Sequence, residues 1–275
     1  MKYSPTDHTF VICAYQESQY LEECIQSLLS QTVKSTVILA TSTPSDFIFN
    51  LCDMYSIPVF INKGEKGIAG DWNFALSCAD TELITIAHQD DIYEQSYTEE
   101  MLKCMNRVKY PVLFSSDYSE LRNGVKVRNN RLLQIKKVMR FPMWLLPGSI
   151  AARRLMLSFG DPICCPSVTY VRSMINRHPF CSGLLASLDW QQWEALSKEK
   201  GSFAYCNSPL MAHRIHEESE TSRVISKYSR TEEDFAMYRK FWPEPVARLL
   251  AKLYSASEKS NTIKTEEENG FYERT

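Results

Sequence analysis

The chain has 275 residues, of which 44% are hydrophobic and 23% are charged, and its formal net charge is −2. This composition is typical of a folded domain and excludes a disordered chain or a globally basic nucleic-acid binder. No apolar run approaches the length of a membrane span, and the first residues lack a signal-peptide core, so we predict a cytoplasmic protein.

The cysteines give a second indication of compartment. There are nine of them, an odd number, without paired metal-ligand spacing. Such a set favours a reducing environment over a disulfide framework. Adjacent Cys164 and Cys165 suit neither a tetrahedral zinc site nor an ordinary disulfide. We therefore interpret the cysteines as small buried apolar residues.

Strands and helices alternate in the first half of the chain. Continuous apolar or β-branched runs predict buried strands at residues 9–15, 36–40, 58–61 and 83–87. Helices are predicted to open at residues 16–18, to follow a cap at Ser45, and to run from about Asp71 to Cys78 after glycines at 64, 67 and 70. This alternation predicts a parallel, right-handed, doubly wound sheet of the α/β class.

The alternation weakens after about residue 110. A hairpin is predicted around Asn123-Gly124, followed by a basic helix over residues 131–140 that ends before Pro142. Later predictions are a strand at 163–171, a helix at 186–200, closing strands at 203–206 and 210–215, and helices from Arg230. We divide the chain into a main domain, 1–225, and C-terminal helices with a polar tail, 226–275.

The stretch LITIAHQDDIY, residues 83–93, is the strongest local signal of a site. Its strand ends in His88, Gln89, Asp90 and Asp91. Two adjacent carboxylates at the carboxyl end of a buried strand need a cation or a set of donors, and open α/β sheets bind ligands at that edge. The alternative is a strand-end turn in which Asp91 caps the helix that follows.

The order and spacing of several motifs resemble the family 2 glycosyltransferases. The residues that carry this resemblance are AYQE at 14–17, SLLSQT at 27–32, GIAGDWNFA at 67–75, HQDD at 88–91, LDW at 188–190 and HRIH at 213–216. HQDD stands where the family has its Asp-x-Asp stretch. The resemblance covers about residues 8–222, and each motif alone is weak.

The resemblance implies a GT-A fold, which is a Rossmann-like, mostly parallel sheet flanked by helices, here with a C-terminal helical appendage. It implies a nucleotide-sugar-binding half, about 1–118, and an acceptor-binding half, about 119–225. It also implies transfer of a sugar, usually from a UDP-linked donor, with Mn²⁺ or Mg²⁺ and inversion at the anomeric carbon. The acceptor would be a glycan or a lipid-linked molecule of bacterial surface polysaccharide synthesis, and no nucleic acid would be involved.

The family alignment also assigns site residues. Asp90 aligns with the last Asp of Asp-x-Asp and is the expected metal ligand, with Asp91 second; His216 would complete the metal or diphosphate site unless it is an ordinary strand-end histidine. Asp189 is the expected catalytic base, with a helix N-cap as its alternative role. Contacts to the nucleotide sugar are expected from Ala14, Tyr15, Glu17, Asp71, Trp72, Asn73, His88 and Arg214. Core packing of Trp72 and helix capping by Asp71 are alternatives.

Two departures from the family pattern affect donor recognition. The acidic residue that usually follows the second strand is missing from ATSTP, residues 40–44, and His88 replaces the first Asp of Asp-x-Asp. The base and ribose contacts therefore stay open, and we hypothesise that Asp71 supplies one of them. The Gln-x-x-Arg-Trp pattern of processive polymerases is absent, which favours single addition. The loop HEESETS, 216–222, resembles one that folds over the donor in the family.

A basic segment gives a further hypothesis. Residues 121–160 contain nine basic and no acidic residues. With the apolar stretch 143–146, the segment 122–154 indicates peripheral contact with the inner, anionic face of a membrane, or else a solvated basic face. For the whole chain, the alternative to a transferase is a protein with the same fold that binds nucleotide sugar, or assists assembly at a membrane, without turnover.

Overall fold

A computed structural model describes residues 2–177, 179–181, 183–216 and 230–258. Its strands are β1 His8–Ala14, β2 Thr36–Thr41, β3 Val59–Ile61, β4 Leu83–His88, β5 Ile92–Tyr93, β6 Pro111–Arg122, β7 Val125–Val127, β8 Thr169–Val171 and β9 Ser202–Ile215. Its helices are α1 Leu21–Leu29, α2 Asp46–Met54, α3 Ile68–Cys78, α4 Tyr97–Arg107, α5 Arg131–Leu145, α6 Ile150–Leu157, α7 Arg172–Ile175, α8 Leu188–Leu196, α9 Arg230–Tyr238 and α10 Glu244–Glu258.

One sheet carries the described chain, in the order β3-β2-β1-β4-β8-β6-β9-β5, with β7 paired to β6. The first four of these strands are parallel, as the alternation of strands and helices predicts. Beyond β4 the sheet is mixed, since β8 is antiparallel to both β4 and β6, whereas β6 and β9 are parallel to each other. The predicted α/β fold with a flanked central sheet is confirmed.

Helices cover both faces of the sheet because the strand side chains alternate between them. Phe10 and Ile12 of β1 face a core that includes residues of α1, α2 and α4. Val11 between them faces the other core, to which α3, α6, α8, α9 and α10 contribute. Among the described helices, none is both long and apolar enough to cross a bilayer.

The helix after β1 begins later than predicted. Gln16 has a φ of 58°, which a helical residue does not adopt, and α1 starts only at Leu21. The chain therefore makes an open loop directly after β1, at the carboxyl edge of the sheet. The predicted cap at Ser45 is confirmed, because its side chain accepts a hydrogen bond from the Ile48 amide at the start of α2.

Helix α5 continues through Pro142, so the predicted end before this proline is wrong. A proline removes the hydrogen bond to the carbonyl four residues earlier, which here belongs to the exposed residue Val138, where water can replace it. The next residue, Met143, is fully buried. Packing of Met143 therefore outweighs the local cost of the proline.

Two strand predictions in the second half also differ from the structure. The predicted strand at 163–171 is mainly a 3-10 turn, Cys165–Ser167, followed by the short β8. The two predicted closing strands form one strand, β9, whose pairing with β6 shifts between Cys206 and Pro209. Pro209 has no amide hydrogen, so a bulge allows the strand to continue past it.

The C-terminal helices pack on the second half of the molecule. Trp190 of α8 lies edge-to-face on Tyr238 of α9, with ring centroids 5.0 Å apart. Trp242 donates its indole hydrogen to the Ser158 carbonyl at 2.7 Å. Helices α9 and α10 are therefore joined to the region that carries Asp189. The predicted polar tail beyond residue 258 and the loop residues 217–222 lie outside the described residues.

Candidate active site

The candidate site lies where parallel strands β2, β1 and β4 end together. Strand order reverses around β1, which is flanked by β2 and β4, and such a switch point opens a crevice at the carboxyl edge of a parallel sheet. The loop after β1 and the turn after β4 are tied together by Gln89, whose amide donates to the Tyr15 carbonyl at 2.8 Å. Ala14 ends β1 at this edge, and the side chains of Tyr15 and Glu17 are exposed beside it.

The turn after β4 brings three potential metal ligands together. Ligand atoms of His88, Asp90 and Asp91 all lie within 4.8 Å of one another. His88 Nε2 is buried and has no hydrogen-bond partner among the described residues, which is costly unless a ligand completes it. Carboxylate oxygens and one imidazole nitrogen form a donor set that fits a divalent cation.

The end of β9 closes over this acidic turn. His216 Nε2 donates to Asp90 Oδ2 at 2.8 Å, so the structure brings these two predicted site residues together. His213 Nδ1 donates to Asp91 Oδ1 at 3.0 Å, and the Arg214 amide donates to the same oxygen at 2.8 Å. His213 belongs to the HRIH motif, but the sequence alone did not indicate a role for it.

Asp91 does not cap a helix, so that alternative is wrong. It precedes β5, and α4 begins only at Tyr97, after Ser96. Asp91 is fully buried, and its carboxylate is held by His213 and Arg214. The two aspartates therefore differ: Asp91 is buried and held by its partners in β9, whereas Asp90 is partly exposed.

The charges of this cluster are set by burial and by its own members. Burial opposes ionisation of Asp90, but the hydrogen bond from His216 and the nearby histidines outweigh it and lower the pKa of Asp90. Burial lowers the pKa of His88, although Asp91 and Asp90 oppose this shift. At neutral pH the cluster therefore offers a carboxylate and a neutral imidazole, the forms that bind metal.

An aromatic wall borders the cluster. Trp72 of α3 stacks on His88, with ring centroids 5.4 Å apart and an interplanar angle of 26°. Phe180 contacts the other part of Trp72 edge-to-face at 5.0 Å. Asn73 donates to the Phe180 carbonyl and accepts from its amide, at 2.8 and 2.9 Å. The Asn73 side chain therefore holds this wall in place, and its contact with the nucleotide stays a prediction.

Asp71 lies at the end of β2, where the sequence lacks an acidic residue. Ser42 Oγ donates to one of its carboxylate oxygens at 3.0 Å, and Asn62 Nδ2 donates to the other at 2.8 Å. In the first turn of α3, residue 70 is glycine because the preceding loop lies against it: a Cβ there would lie 2.3 Å from the Glu65 carbonyl oxygen. Helix α3 therefore places the Asp71 carboxylate beside Ser42, just after β2, where the sequence itself has no acidic residue.

Arg214 is held by protein groups, and its contact with the donor phosphates stays a prediction. Its Nε donates to the Asp90 carbonyl at 2.8 Å, and its Nη2 donates to Glu23 of α1. The guanidinium carbon lies 4.1 Å from the centre of the Tyr20 ring. Arg214 is buried and joins α1 to the acidic turn. Its side chain therefore positions Asp90.

Asp189 is the second residue of α8, and Ser187 occupies the N-cap position. The Asp189 carboxylate is half-buried and accepts from the Trp190 amide at 2.8 Å. It lies near enough to His88 for its charge to favour protonation of that imidazole. The structure therefore brings a carboxylate of the second half towards the metal-ligand cluster of the first half.

Comparison with known proteins decides the family. Residues 9–178, more than half of the chain, match the model of glycosyl transferase family 2. The chain belongs to this family. The motifs at the strand ends predicted this membership.

The sequence relatives and the solved structures agree with this assignment. Glycosyltransferase GlyG of Streptococcus pneumoniae serotype 4 is 26% identical over 115 residues, which are 40% of this chain. The match spans only 38% of the length of that curated relative. Staphylococcus aureus TarS 1–349, solved with UDP-GlcNAc, has a TM-score of 0.64 at 14% identity and covers 95% of this chain and 77% of that one.

Two further solved structures share the fold. Mannosyltransferase PcManGT of Pyrobaculum calidifontis, solved with GDP-Man and Mn²⁺, has a TM-score of 0.62 at 14% identity, with 94% of this chain and 76% of that chain covered. Glucosyl-3-phosphoglycerate synthase of Mycobacterium tuberculosis, solved with Mn²⁺ and UDP-Glc, has a TM-score of 0.53 at 16% identity, with coverages of 90% and 79%. At such identities the likeness establishes the GT-A fold of this chain and no more.

A carboxylate from the C-terminal helices holds the loop before Asp189 in this glycosyltransferase. Glu233 of α9 accepts hydrogen bonds from three consecutive amides, those of Leu185, Ala186 and Ser187, at 2.9, 2.8 and 2.9 Å. Three charge-assisted hydrogen bonds fix the entry to α8. Because Asp189 is two residues further on, Glu233 sets the position from which α8 presents it.

Glu233→Gln in the glycosyltransferase is expected to lower kcat about tenfold at an unchanged KM for the donor, because a small displacement of a reacting group is costly. The amide of glutamine loses the charge and presents a donor to amides that already donate. The neighbouring exposed residue Glu232 provides the matched control, Glu232→Gln, which should leave both constants unchanged. Equal kinetics of the two variants would contradict a positioning role for Glu233.

Proposed function

We propose that this glycosyltransferase moves a sugar from a nucleoside-diphosphate donor, UDP-linked, to a hydroxyl of a glycan or lipid-linked acceptor, with inversion, in bacterial surface polysaccharide synthesis. The observation that carries the proposal is the His88–Asp90–Asp91 cluster at the carboxyl edge of the parallel strands. A diphosphate leaving group needs neutralisation there, and the cluster is built to hold the cation that supplies it.

The cation is proposed to be Mn²⁺ in preference to Mg²⁺. Asp90, with His88 and His216, would hold it, and Asp91 would support them. Imidazole nitrogen suits manganese better than magnesium, which prefers oxygen ligands and retains its waters. Two structures that share the fold, PcManGT and the mycobacterial synthase, were solved with Mn²⁺. When bound, the cation would stabilise negative charge on the leaving diphosphate.

Donor recognition is assigned to groups around the same edge. Ala14, Tyr15 and Glu17 follow β1 and would contact the nucleotide. Asp71 would replace the missing acidic residue after β2, because its carboxylate lies beside Ser42. Trp72 would border the donor site through its stack on His88. The nucleotide is proposed to be a uridine nucleotide because the family usually uses UDP-linked donors and two similar structures hold them.

Asp189 is proposed to be the catalytic base. It would take the proton of the acceptor hydroxyl as that oxygen bonds to the anomeric carbon and the bond from this carbon to the phosphate oxygen breaks. One base without a covalent nucleophile implies a single displacement, which inverts the anomeric centre. In this proposal residues 1–118 bind the donor and residues 119–225 bind the acceptor. The C-terminal helices hold Asp189 through Glu233.

Calorimetric titration of the purified protein with UDP, GDP and dTDP, each with and without Mn²⁺, tests the proposal. We expect UDP to bind at least about tenfold more tightly with Mn²⁺ than without it, because a cation held by Asp90 would offset the negative charge of the diphosphate. Tighter binding of GDP or dTDP would overturn the uridine assignment but keep the metal site. No binding of any nucleotide in either condition would contradict the donor site itself and favour the alternative of an assembly protein without turnover.

A further inference from the structure

Helix α5 has an exposed apolar face. Its members are Ile135, Val138, Phe141, Trp144 and Leu145, which we call the α5 outer face. Their spacing of mainly three and four residues places most of them on one side of the helix. Val138 is 74% exposed and Leu145 59%, and the rings of Phe141 and Trp144 are in contact, with centroids 5.7 Å apart. Such a stripe is unusual on a solvated helix.

The opposite side of α5 is firmly packed, so the exposed face is not a consequence of a loose helix. Arg140 is buried and pairs with Asp117 of β6 at 2.8 Å. Lys136 donates to the hydroxyl of Tyr118, also on β6, at 3.1 Å. Of the twenty large apolar side chains that are exposed in the described part of the chain, nine lie between Ile135 and Phe159. The apolar surface is therefore concentrated around α5 and α6.

Most basic residues of the segment 121–160 are either buried or paired with carboxylates of this chain. Arg140 and Arg153 are buried, and ion pairs with glutamates occupy Arg122, Lys126 and Arg154. Three basic residues point outwards near the start of α5, namely Arg128, Arg131 and Lys137. The nearest carboxylate oxygens to Arg128 and Lys137 are both 3.9 Å away. The outward charges therefore border the N-terminal end of the apolar stripe.

The apolar stripe and the outward basic residues together favour a lipid surface, and not a second copy of the chain, as the partner of this face. In a two-fold dimer the same patch meets itself, and the segment 121–160 has no carboxylate to oppose its own arginines and lysines. An anionic bilayer offers phosphate groups to the three outward cations and an apolar layer to the stripe. Tryptophan and phenylalanine prefer the depth between these layers.

We infer that the α5 outer face docks on the surface of an anionic phospholipid membrane. The consequence for catalysis rests on the proposed function: docking would bring the cleft to a lipid-linked acceptor. Helix α5 is suited to this because its inner side contacts β6, which pairs with the strand that carries His213. The affinity comes from burial of the stripe in the interface, and the basic residues add attraction to anionic headgroups.

Flotation with vesicles tests the inference. The full chain is expected to float with vesicles of equal phosphatidylcholine and phosphatidylglycerol, and about tenfold less with phosphatidylcholine alone. The double variant Val138→Glu, Leu145→Glu should lower partitioning into the anionic vesicles at least about tenfold, because charged side chains cannot enter the interface. Met54→Glu on α2 is the matched control, since Met54 is 71% exposed outside this face and should have no effect.

Three results would overturn the inference. The first is that the full chain does not float with anionic vesicles, and the second is that Met54→Glu loses as much flotation as the double variant. The third is a dimer in sedimentation velocity that the double variant dissociates, because this would assign the face to a second copy of the chain. Calorimetry with UDP and Mn²⁺ on the same proteins separates the two proposals. Nucleotide binding without flotation would contradict only the proposed membrane docking. Flotation without nucleotide binding would contradict only the proposed nucleotide donor.

Discussion

Asp189→Asn is expected to lower kcat by about a thousandfold, within the range that a positioned general base contributes. The affinity for the donor nucleotide should change less than about twofold, because the substitution removes a proton acceptor and leaves the donor edge of the sheet intact. Asparagine keeps the oxygen that accepts the Trp190 amide, so α8 should retain its start. Loss of activity would then report chemistry and not folding.

The measurement is release of nucleoside diphosphate from the donor that calorimetry identifies, with water or a screened alcohol as the acceptor. Nucleotide affinity and thermal unfolding are measured on the same preparations. Glu232→Gln, at an exposed position of α9, supplies a control with the same change from carboxylate to amide, and it should retain activity. If Asp189→Asn turned over at the wild-type rate, the role of Asp189 would be limited to its hydrogen bond with the first turn of α8.

The carboxyl edge of the parallel strands, where the candidate site lies, could be predicted from the sequence. Each element there is indicated by a few consecutive residues. A buried strand followed by polar residues gives the position of HQDD directly, and the carboxyl ends of parallel strands must meet at one edge. The cap at Ser45 and the hairpin at Asn123-Gly124, both of which the structure contains, depend on a few neighbouring residues. Predictions of this kind need no information about distant parts of the chain.

Contacts between distant segments could not be predicted in the same way. The partner of His213 is Asp91, 122 residues away, and the contact depends on the register of β9. That register shifts by two residues at the bulge between Cys206 and Pro209, and such a shift cannot be read from the alternation of side chains. The contact between Arg214 and Glu23 could not be predicted for the same reason, since nothing near Arg214 in the sequence identifies this partner.

The acidic pair at the end of β4 shows how the structure separates residues that the sequence leaves equivalent. Asp91 is fully buried, and one of its oxygens accepts hydrogen bonds from His213 and the Arg214 amide. Asp90 lies in the cleft and contacts His216. A cation at Asp90 would leave the contacts of Asp91 with His213 and Arg214 of β9 intact, whereas replacing Asp91 would alter them. The two aspartates should therefore respond differently to substitution.

Asp90→Ala is expected to weaken nucleotide binding in Mn²⁺ by about a hundredfold, because a hard cation loses its exposed carboxylate ligand. Nucleotide affinity without metal should be unchanged, and thermal unfolding should change little. Asp91→Asn is the matched comparison. It should lower the free energy of unfolding by about 2 kcal/mol, because a neutral amide lacks the charge that strengthens the buried hydrogen bonds from His213 and the Arg214 amide, while part of the response to Mn²⁺ remains.

Calorimetry of UDP with and without Mn²⁺, together with denaturant unfolding of both variants, distinguishes these roles. Loss of the metal response in Asp90→Ala at wild-type stability would support Asp90 as the main ligand. If Mn²⁺ still strengthened UDP binding to Asp90→Ala as much as to the wild type, Asp90 would not be a metal ligand. If Asp91→Asn instead lost the metal response and kept its stability, the roles of the two carboxylates would be reversed. The buried aspartate would then be the ligand, and His213 would orient it, as partners of ligating carboxylates commonly do.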